Sequence, residues 1–266
     1  MKTVILCGGQ GTRIRDVNDT LPKPMIPVGE FPILWHIMRG YAQHGHKDFV
    51  LCLGYKARII KEFFLNYEAL TRDFTLTFGS DKAVQYHGAE TELDWSVTLA
   101  DTGLNTLTGG RIAKIAKYVE GETFMLTYGD GLSDVDIGQL LAFHQSHDSA
   151  VTVTGVRPPG RFGEMESGDG GKVTEFNEKP QASGGRISGG FFVCDAKVFD
   201  YLEDREDLTF EETPLRKLAA DGELRMFDHD GYWQCMDTYR DYKLLNDLWA
   251  KGKSPWLSRA RPEAGA

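Results

Sequence analysis

The chain has 266 residues, 41% of them hydrophobic, and a formal net charge of −9. Its length allows one α/β domain with a substantial buried core. The acidic balance argues against nucleic acid as a partner, because a surface that binds nucleic acid is usually basic. No segment approaches the roughly 20 apolar residues that span a membrane, and the apolar N-terminus is too short for a signal peptide. Four scattered cysteines suit a reducing compartment, so we expect a cytoplasmic protein with no membrane partner.

Strand and helix patterns alternate through the first half of the chain. An apolar strand is predicted at 2–7, and a helix is predicted at about 32–43 because apolar residues recur there at helical spacing. Further strands are predicted at 49–53, 95–99 and 123–127. Such regular alternation predicts an α/β fold with a Rossmann-like, doubly wound and mostly parallel sheet.

The second half is less regular. A strand is predicted at 151–156, and the polar, glycine-rich turn at 167–171 predicts a hairpin, a small β insertion. Residues 209–212 resemble a capping box that opens a helix. No repeat or linker divides the chain, so we predict a single domain over 1–256 and a flexible tail at 257–266.

A glycine-rich loop follows the first strand. Gly8, Gly9 and Gly11 have no Cβ, so their backbone N–H groups can approach a polyphosphate closely. Arg13 can fork onto phosphate oxygens, and Lys23 adds a second cation between two prolines. The spacing fits neither a dinucleotide fingerprint nor a Walker A loop. The loop therefore indicates a nucleotide phosphate site, with an ordinary strand-to-loop turn as the alternative.

Two aspartates, Asp130 and Asp237, are candidate ligands for a divalent metal. Asp130 follows a predicted buried strand, where open α/β sheets place their ligands. Mg²⁺ prefers hard oxygen ligands, usually one or two carboxylates with phosphates and water. The alternatives are a turn residue for Asp130 and a helix cap for Asp237.

Lys179 and Glu178 are candidates for binding a phosphorylated sugar. Pro180 restricts the preceding residues to an extended course, which could hold both side chains toward one cavity. An ammonium suits the phosphate and a carboxylate suits the hydroxyls; a solvated surface pair is the alternative. Arg111, at a glycine-rich helix start, could contact phosphate or base, or could simply be exposed.

Several of these motifs resemble a known family, the sugar-1-phosphate nucleotidylyltransferases, in order and spacing from the first strand to about Trp256. They are residues 4–13, Lys23-Pro24-Met25, Tyr128-Gly129-Asp130, Glu178-Lys179-Pro180 and Asp237-Thr238. One departure is Cys7, where the family usually has alanine. Within the family, residues 34–38, 108–111, 158–163 and 236–238 look most like the members that use CTP and glucose 1-phosphate.

The resemblance implies a reaction and a set of partners. CTP and α-D-glucose 1-phosphate would be the substrates, and CDP-glucose, a precursor of dideoxy sugars and O-antigen, would be made with release of pyrophosphate and help from Mg²⁺. The protein would be a homo-oligomer. Residues 1–130 would mainly bind the nucleotide, and residues 131–256, with the β insertion, mainly the sugar phosphate. A sister transferase that uses dTTP, UTP or GTP and a non-catalytic nucleotide-sugar-binding regulator are the alternatives.

The resemblance also implies residue roles. Arg13, Lys23, Asp130 and Lys179 would be catalytic, and Asp130 and Asp237 would bind the metal. The sugar phosphate would contact Gly163, Glu178, Lys179 and Gly190. Thr108 and Arg111 would belong to a loop that reads the pyrimidine. The nucleotide would be bound by Leu6, Cys7, Gly8, Gly9, Gln10, Gly11, Thr12, Arg13, Lys23, Thr108, Arg111 and Gly129.

Overall fold

The structure is a computed structural model. It describes residues 1–11, 14, 17, 19–79, 82–88, 94–119, 121–158, 164–167, 172–177 and 185–257, with the backbone alone at 164–167 and 173–177. The described strands are β1 (Lys2–Leu6), β2 (Pro27–Val28), β3 (Phe31–Pro32), β4 (Asp48–Leu53), β5 (Phe74–Thr77), β6 (Ala83–Tyr86), β7 (Ser96–Asp101), β8 (Phe124–Tyr128), β9 (Gly131–Ser133), β10 (Val151–Val156), β11 (Glu164–Ser167), β12 (Val173–Asn177), β13 (Ile187–Cys194), β14 (Leu224–His229) and β15 (Trp233–Cys235).

Helices connect many of these strands. The described α-helices are α1 (Ile33–Ala42), α2 (Ala57–Leu65), α3 (Tyr67–Thr71), α4 (Thr108–Lys114), α5 (Ala116–Val119), α6 (Ile137–Gln145), α7 (Thr213–Ala220) and α8 (Tyr239–Ala250). Short 3₁₀ turns cover Lys23–Met25, Ala196–Tyr201 and Pro255–Leu257. None of the helices in the described ranges has the length and apolar character to cross a membrane.

The centre of the fold is a seven-stranded sheet in the order β14-β10-β13-β8-β1-β4-β7. Its strands run in one direction except β13, which is antiparallel to both of its neighbours. The predicted mostly parallel α/β sheet is therefore confirmed. The direction of β13 was not predicted, because an apolar run buried on both faces has the same composition in either direction.

Strand β1 shows why the sheet is covered on both sides. Its side chains alternate between faces: Ile5 packs in a cluster with α1, α6 and α8, whereas Val4 and Leu6 pack in a second cluster with α4 and α7. Val4 and Ile5 are fully buried. The two clusters fix the sheet between two helical layers. Because β1 and β8 are parallel neighbours, their carboxyl ends open at one common edge.

Two local expectations need correction. The capping box expected at 209–212 is wrong: α7 begins at Thr213, and the Glu212 side chain makes no capping bond. The alternative of Asp237 as the cap of α8 is also wrong, because Thr238 caps this helix in a capping box with Asp241. Asp237 thus lies just outside the helix. The expected hairpin of the second half is present as the antiparallel pair β11–β12.

Candidate active site

A cavity of about 440 Å³ lies at the carboxyl ends of β1 and β8. Open α/β sheets place ligands at this edge, and the volume falls within the usual range for small-molecule sites. The structure brings most of the described predicted residues to its wall: Leu6, Cys7, Gly8, Gly9, Gly11, Lys23, Thr108, Arg111, Gly129, Asp130 and Asp237.

Two of the described predicted residues, Gln10 and Gly190, do not line the cavity. Gln10 is exposed, and Gly190 contacts the ring of Tyr128, which itself lines the cavity. Thr12, Arg13, Gly163, Glu178 and Lys179 fall outside the described residues, so their assigned roles stay predictions.

The three glycines of the first loop occupy their positions for different physical reasons. A Cβ on Gly8 would collide with the guanidinium of Arg111, and Gly11 has a φ of +57°, which L side chains rarely adopt. A Cβ on Gly9 would meet nothing within 4 Å. Packing inside the chain therefore requires glycine at position 8 and backbone conformation favours it at position 11, whereas position 9 leaves open space at the cavity.

Arg111 is buried beneath this loop, with 4% of its surface exposed, so the expectation that it could simply be exposed is wrong. Its Nη1 donates to the Thr102 hydroxyl at 2.7 Å and to the carbonyls of Leu53 at 2.9 Å and Gly103 at 2.8 Å. Its Nη2 donates to the Gly8 carbonyl at 3.1 Å. Within the described residues it forms no ion pair. Burial lowers its pKa, but a guanidinium stays charged in proteins.

Lys23, Asp130 and Asp237 form a cluster of charges on the cavity wall. The Lys23 ammonium lies 2.6 Å from Asp130 Oδ2 and 2.5 Å from Asp237 Oδ1, and its side chain is 13% exposed. Burial by itself would lower the pKa of Lys23, but the two carboxylates outweigh burial and raise it. Lys23 is therefore a charged lysine at neutral pH.

Two strand ends bring the aspartates together. Strand β9 follows Asp130 directly, and β15 ends two residues before Asp237; these strands pair with Cys235 opposite Gly131. The Met236 N–H also donates to the Asp130 carbonyl at 2.9 Å. Both carboxylates approach the Lys23 ammonium, so their oxygens lie close to one another and to a positive charge. Carboxylate oxygens are also the kind of ligand that a divalent cation takes.

Cys7 and Gly129 serve the packing of the site. Burial raises the pKa of the Cys7 thiol well above its usual value, so this side chain is a neutral packing group. The Gly129 N–H donates to the Leu6 carbonyl at 3.0 Å, and a Cβ on Gly129 would come within 3.4 Å of the Cys7 sulfur. The hydrogen bond holds the end of β8 against the end of β1, and the absence of a Cβ allows this close approach.

Three side chains at or beside the cavity were missed as functional candidates. Tyr128 and Trp233 line it, and the Trp233 indole donates to the Gly189 carbonyl at 2.8 Å. The Glu211 carboxylate accepts hydrogen bonds from the hydroxyls of Thr108 and Tyr128. Tyr128 could have been found from its place beside Gly129-Asp130. Glu211 carried a misleading signal, since it belonged to the expected capping box.

Comparisons with known proteins define the class to which this protein belongs. Residues 2–247 match the family model described as Nucleotidyl transferase, and the chain belongs to this family. It is 47% identical over 257 residues to the glucose-1-phosphate cytidylyltransferase of Salmonella typhi, a match that covers 96% of this chain and 98% of that protein.

Two further comparisons extend this result. The chain is 44% identical to a protein of Bacillus subtilis named "Probable glucose-1-phosphate cytidylyltransferase", over 96% of this chain and 99% of the relative. Among solved structures, the inositol-1-phosphate CTP transferase from T. maritima has a TM-score of 0.62 at 17% identity and covers 93% of this chain and 95% of that one. At that identity the structural match supports the fold alone.

Proposed function

We propose that this protein transfers a cytidylyl group from CTP to α-D-glucose 1-phosphate, giving CDP-glucose and pyrophosphate. The 47% identity to a glucose-1-phosphate cytidylyltransferase runs over nearly the full length of both chains. The observation that carries the chemistry is the convergence of Lys23, Asp130 and Asp237 on the wall of a cavity that also contains the glycine-rich loop. Together these findings favour phosphoryl-group chemistry at this edge of the sheet.

The proposed reaction is an in-line displacement. An oxygen of the sugar phosphate attacks the α-phosphorus of CTP and forms a new P–O bond, while the bond to the leaving pyrophosphate breaks. Catalysis of this kind consists mainly of positioning and charge stabilisation, so a nucleophilic side chain is not needed. The neutral Cys7 thiol at the cavity wall is consistent with that mechanism.

The chain's own residues divide this work. The backbone around Gly9 and Gly11 would bind the triphosphate, and the charged Lys23 would stabilise negative charge at the α-phosphate. Arg13 would hold the β- and γ-phosphates. On the sugar side, Lys179 would bind the phosphate, and Glu178, with Gly163 and Gly190, would bind the glucosyl group.

Asp130 and Asp237 would hold a divalent cation, which we propose is Mg²⁺. The cation would neutralise and orient the phosphates when bound. The two carboxylates are held ready by the pairing of β9 with β15. Because Asp130 ends the segment 1–130 and Asp237 comes from 131–256, the proposed nucleotide and sugar-phosphate halves meet at these two carboxylates.

The nucleoside would lie near α4. Thr108 begins this helix and lines the cavity, and Arg111 supports the phosphate loop from below through the Gly8 carbonyl. We propose that Arg111 acts mainly by holding the loop, since its buried guanidinium donates to the carbonyls of Gly8, Leu53 and Gly103. Thr108 is then the member of the predicted pyrimidine-reading loop with a hydroxyl at the cavity.

The proposal is tested by pyrophosphate release from CTP, UTP, dTTP and GTP, each with glucose 1-phosphate, mannose 1-phosphate and galactose 1-phosphate. We expect the highest kcat/KM with CTP and glucose 1-phosphate. A higher value with another nucleotide or sugar would identify a sister transferase. Nucleotide binding without turnover under any combination would favour a regulator.

A further inference from the structure

Glu211 connects two hydroxyl groups of the cavity wall. The Thr108 hydroxyl donates to Glu211 Oε2 at 2.5 Å, and the Tyr128 hydroxyl donates to Glu211 Oε1. Thr108 and Tyr128 both line the cavity. They come from different elements, α4 and β8, so the carboxylate ties the predicted pyrimidine-reading loop to the strand that leads to Asp130.

Backbone contacts fix the position of Thr108 relative to Glu211. The Phe210 N–H donates to Thr108 Oγ1 at 2.9 Å, and the Gly109 N–H donates to the Leu208 carbonyl at 2.9 Å. Phe210 itself is fully buried. The backbone beside Glu211 is therefore anchored in the core, although the glutamate side chain reaches the surface.

Tyr128 is held on its other side by the backbone of β13. A Cβ on Gly190 would collide with the Tyr128 ring, and Gly190 has a φ of +78°. The Tyr128 hydroxyl donates to Glu211 Oε1, so the tyrosine is held from two sides.

The Glu211 carboxylate orients the hydroxyl protons of Thr108 and Tyr128 toward itself. An ionised carboxylate can only accept hydrogen bonds, whereas a threonine hydroxyl has one proton to donate and two lone pairs. The Thr108 proton is taken by Glu211 and one lone pair by the Phe210 N–H. What Thr108 can still offer to a ligand in the cavity is its remaining lone pair, which accepts.

We infer that Glu211 is a positioning residue that makes Thr108 a hydrogen-bond acceptor toward the nucleobase, and thereby favours a pyrimidine with an exocyclic amino group. This inference rests on the proposed cytidylyl transfer. Cytosine carries an amino donor at the place where uracil carries a carbonyl acceptor. An acceptor on the cavity wall attracts the amino group of cytosine and repels the carbonyl of uracil. The selectivity for cytosine therefore comes from the orientation of the Thr108 hydroxyl proton.

The test compares Glu211→Ala with Glu212→Ala. Glu212 is the adjacent exposed glutamate, and its side chain makes no capping bond, so it is a matched loss of one carboxylate. Without Glu211 the Thr108 proton is free to rotate toward a carbonyl. We expect the ratio of kcat/KM for CTP to that for UTP to fall about tenfold in Glu211→Ala, the scale of one hydrogen bond, and to stay unchanged in Glu212→Ala.

Two more variants distinguish a loss of the Glu211–Thr108 hydrogen bond from a general disturbance of the structure. Glu211→Gln keeps one acceptor oxygen, so we expect it to restore part of the CTP preference. Thr108→Val removes the hydroxyl itself, so combining it with Glu211→Ala should cost little additional selectivity if both act through one group. Calorimetry gives the dissociation constants for CTP and UTP. Their ratio is a second measure of the nucleotide preference that does not depend on turnover.

The outcomes are distinguishable. A CTP preference that Glu211→Ala leaves intact, or an equal loss of kcat/KM with both nucleotides, would overturn the role of Glu211 and leave the proposed function standing. Wild-type protein without a CTP preference would contradict the cytidylyl assignment itself. A fall in the ratio that appears mainly in KM and in the dissociation constants supports the inference.

Discussion

Lys23 and Arg111 are both cations on the wall of the same cavity, but their partners differ in kind. Lys23 lies against two carboxylates, whereas Arg111 donates to a threonine hydroxyl and to backbone carbonyls. The carboxylates raise the pKa of the lysine. Arg111 keeps its charge by its own basicity, even though burial lowers its pKa.

This difference separates two tasks. The Lys23 cluster combines groups that can exchange partners with phosphates or a cation, so it is suited to the reaction. The hydrogen bonds of Arg111 hold the shape of the loop, so it is suited to support. We therefore expect substitutions in the cluster to reduce turnover, and substitutions of Arg111 to change binding and stability.

The largest effect is expected from Asp130→Asn, which keeps the size of the side chain but removes one charged ligand of the proposed cation. We expect turnover at limiting Mg²⁺ to fall roughly 10³-fold, the upper scale for loss of one preorganised charge-stabilising group. The measurement is the initial rate over a Mg²⁺ titration. The control is Asp94→Asn, which removes an exposed partner of Lys47. Intact turnover at limiting Mg²⁺ would refute the metal assignment.

Lys23→Ala should reduce kcat by at least ~10²-fold, because it removes a fixed positive charge beside the reacting phosphate. Lys47→Ala is the matched control, since Lys47 also forms a 2.6 Å ion pair but at the surface. Single-turnover kinetics measure the chemical step directly. A near-normal rate in Lys23→Ala would break the distinction between the two cations.

Arg111→Lys tests the supporting task, because it keeps the charge and loses the guanidinium fork. We expect the free energy of unfolding to fall by about 3 kcal/mol, since several buried carbonyls lose their donors, and the KM for CTP to rise about tenfold. Urea unfolding and steady-state kinetics provide the two values. Arg58→Lys on α2 is an exposed control. A loss of kcat alone, with stability and KM unchanged, would assign Arg111 to the chemistry instead.

His36 extends the comparison of Lys23 with Arg111 to a weaker base, because a buried histidine with no carboxylate partner loses its charge. It is 1% exposed, and its ring lies 2.8 Å from the Val28 carbonyl and 3.2 Å from the Trp256 indole nitrogen. Burial lowers the pKa of His36 to about 4. The pKa of His36 in the unfolded chain is about 6.5. Between about pH 6.5 and about pH 4, the unfolded chain therefore binds a proton at His36 that the folded chain does not bind.

Stability should consequently fall on acidification across that window, by about 1.4 kcal/mol per pH unit from this group. Urea unfolding at intervals from pH 7 to pH 4 measures the slope. His36→Gln removes the titrating ring, so its slope should be smaller than that of the wild type. Equal slopes in the two proteins would show that His36 does not control this pH dependence.

Some of this site could be predicted from the sequence because its signals are local. The glycine loop follows an apolar strand directly, and Asp130 follows another, so each position was visible within a few residues. The burial of Arg111 was not visible, since its acceptors at Gly8 and Leu53 are 103 and 58 positions away. Glu211 was missed for the same reason: its partners lie 103 and 83 positions away, and only packing brings them together.

The pairing of β9 with β15 also has a consequence for how the chain is made. Lys23 and Asp130 lie in the first half of the sequence, but Asp237, which β15 brings to them, comes 214 positions after Lys23. Domains generally fold as units. The cluster of charges can therefore be completed only after residue 237 has left the ribosome.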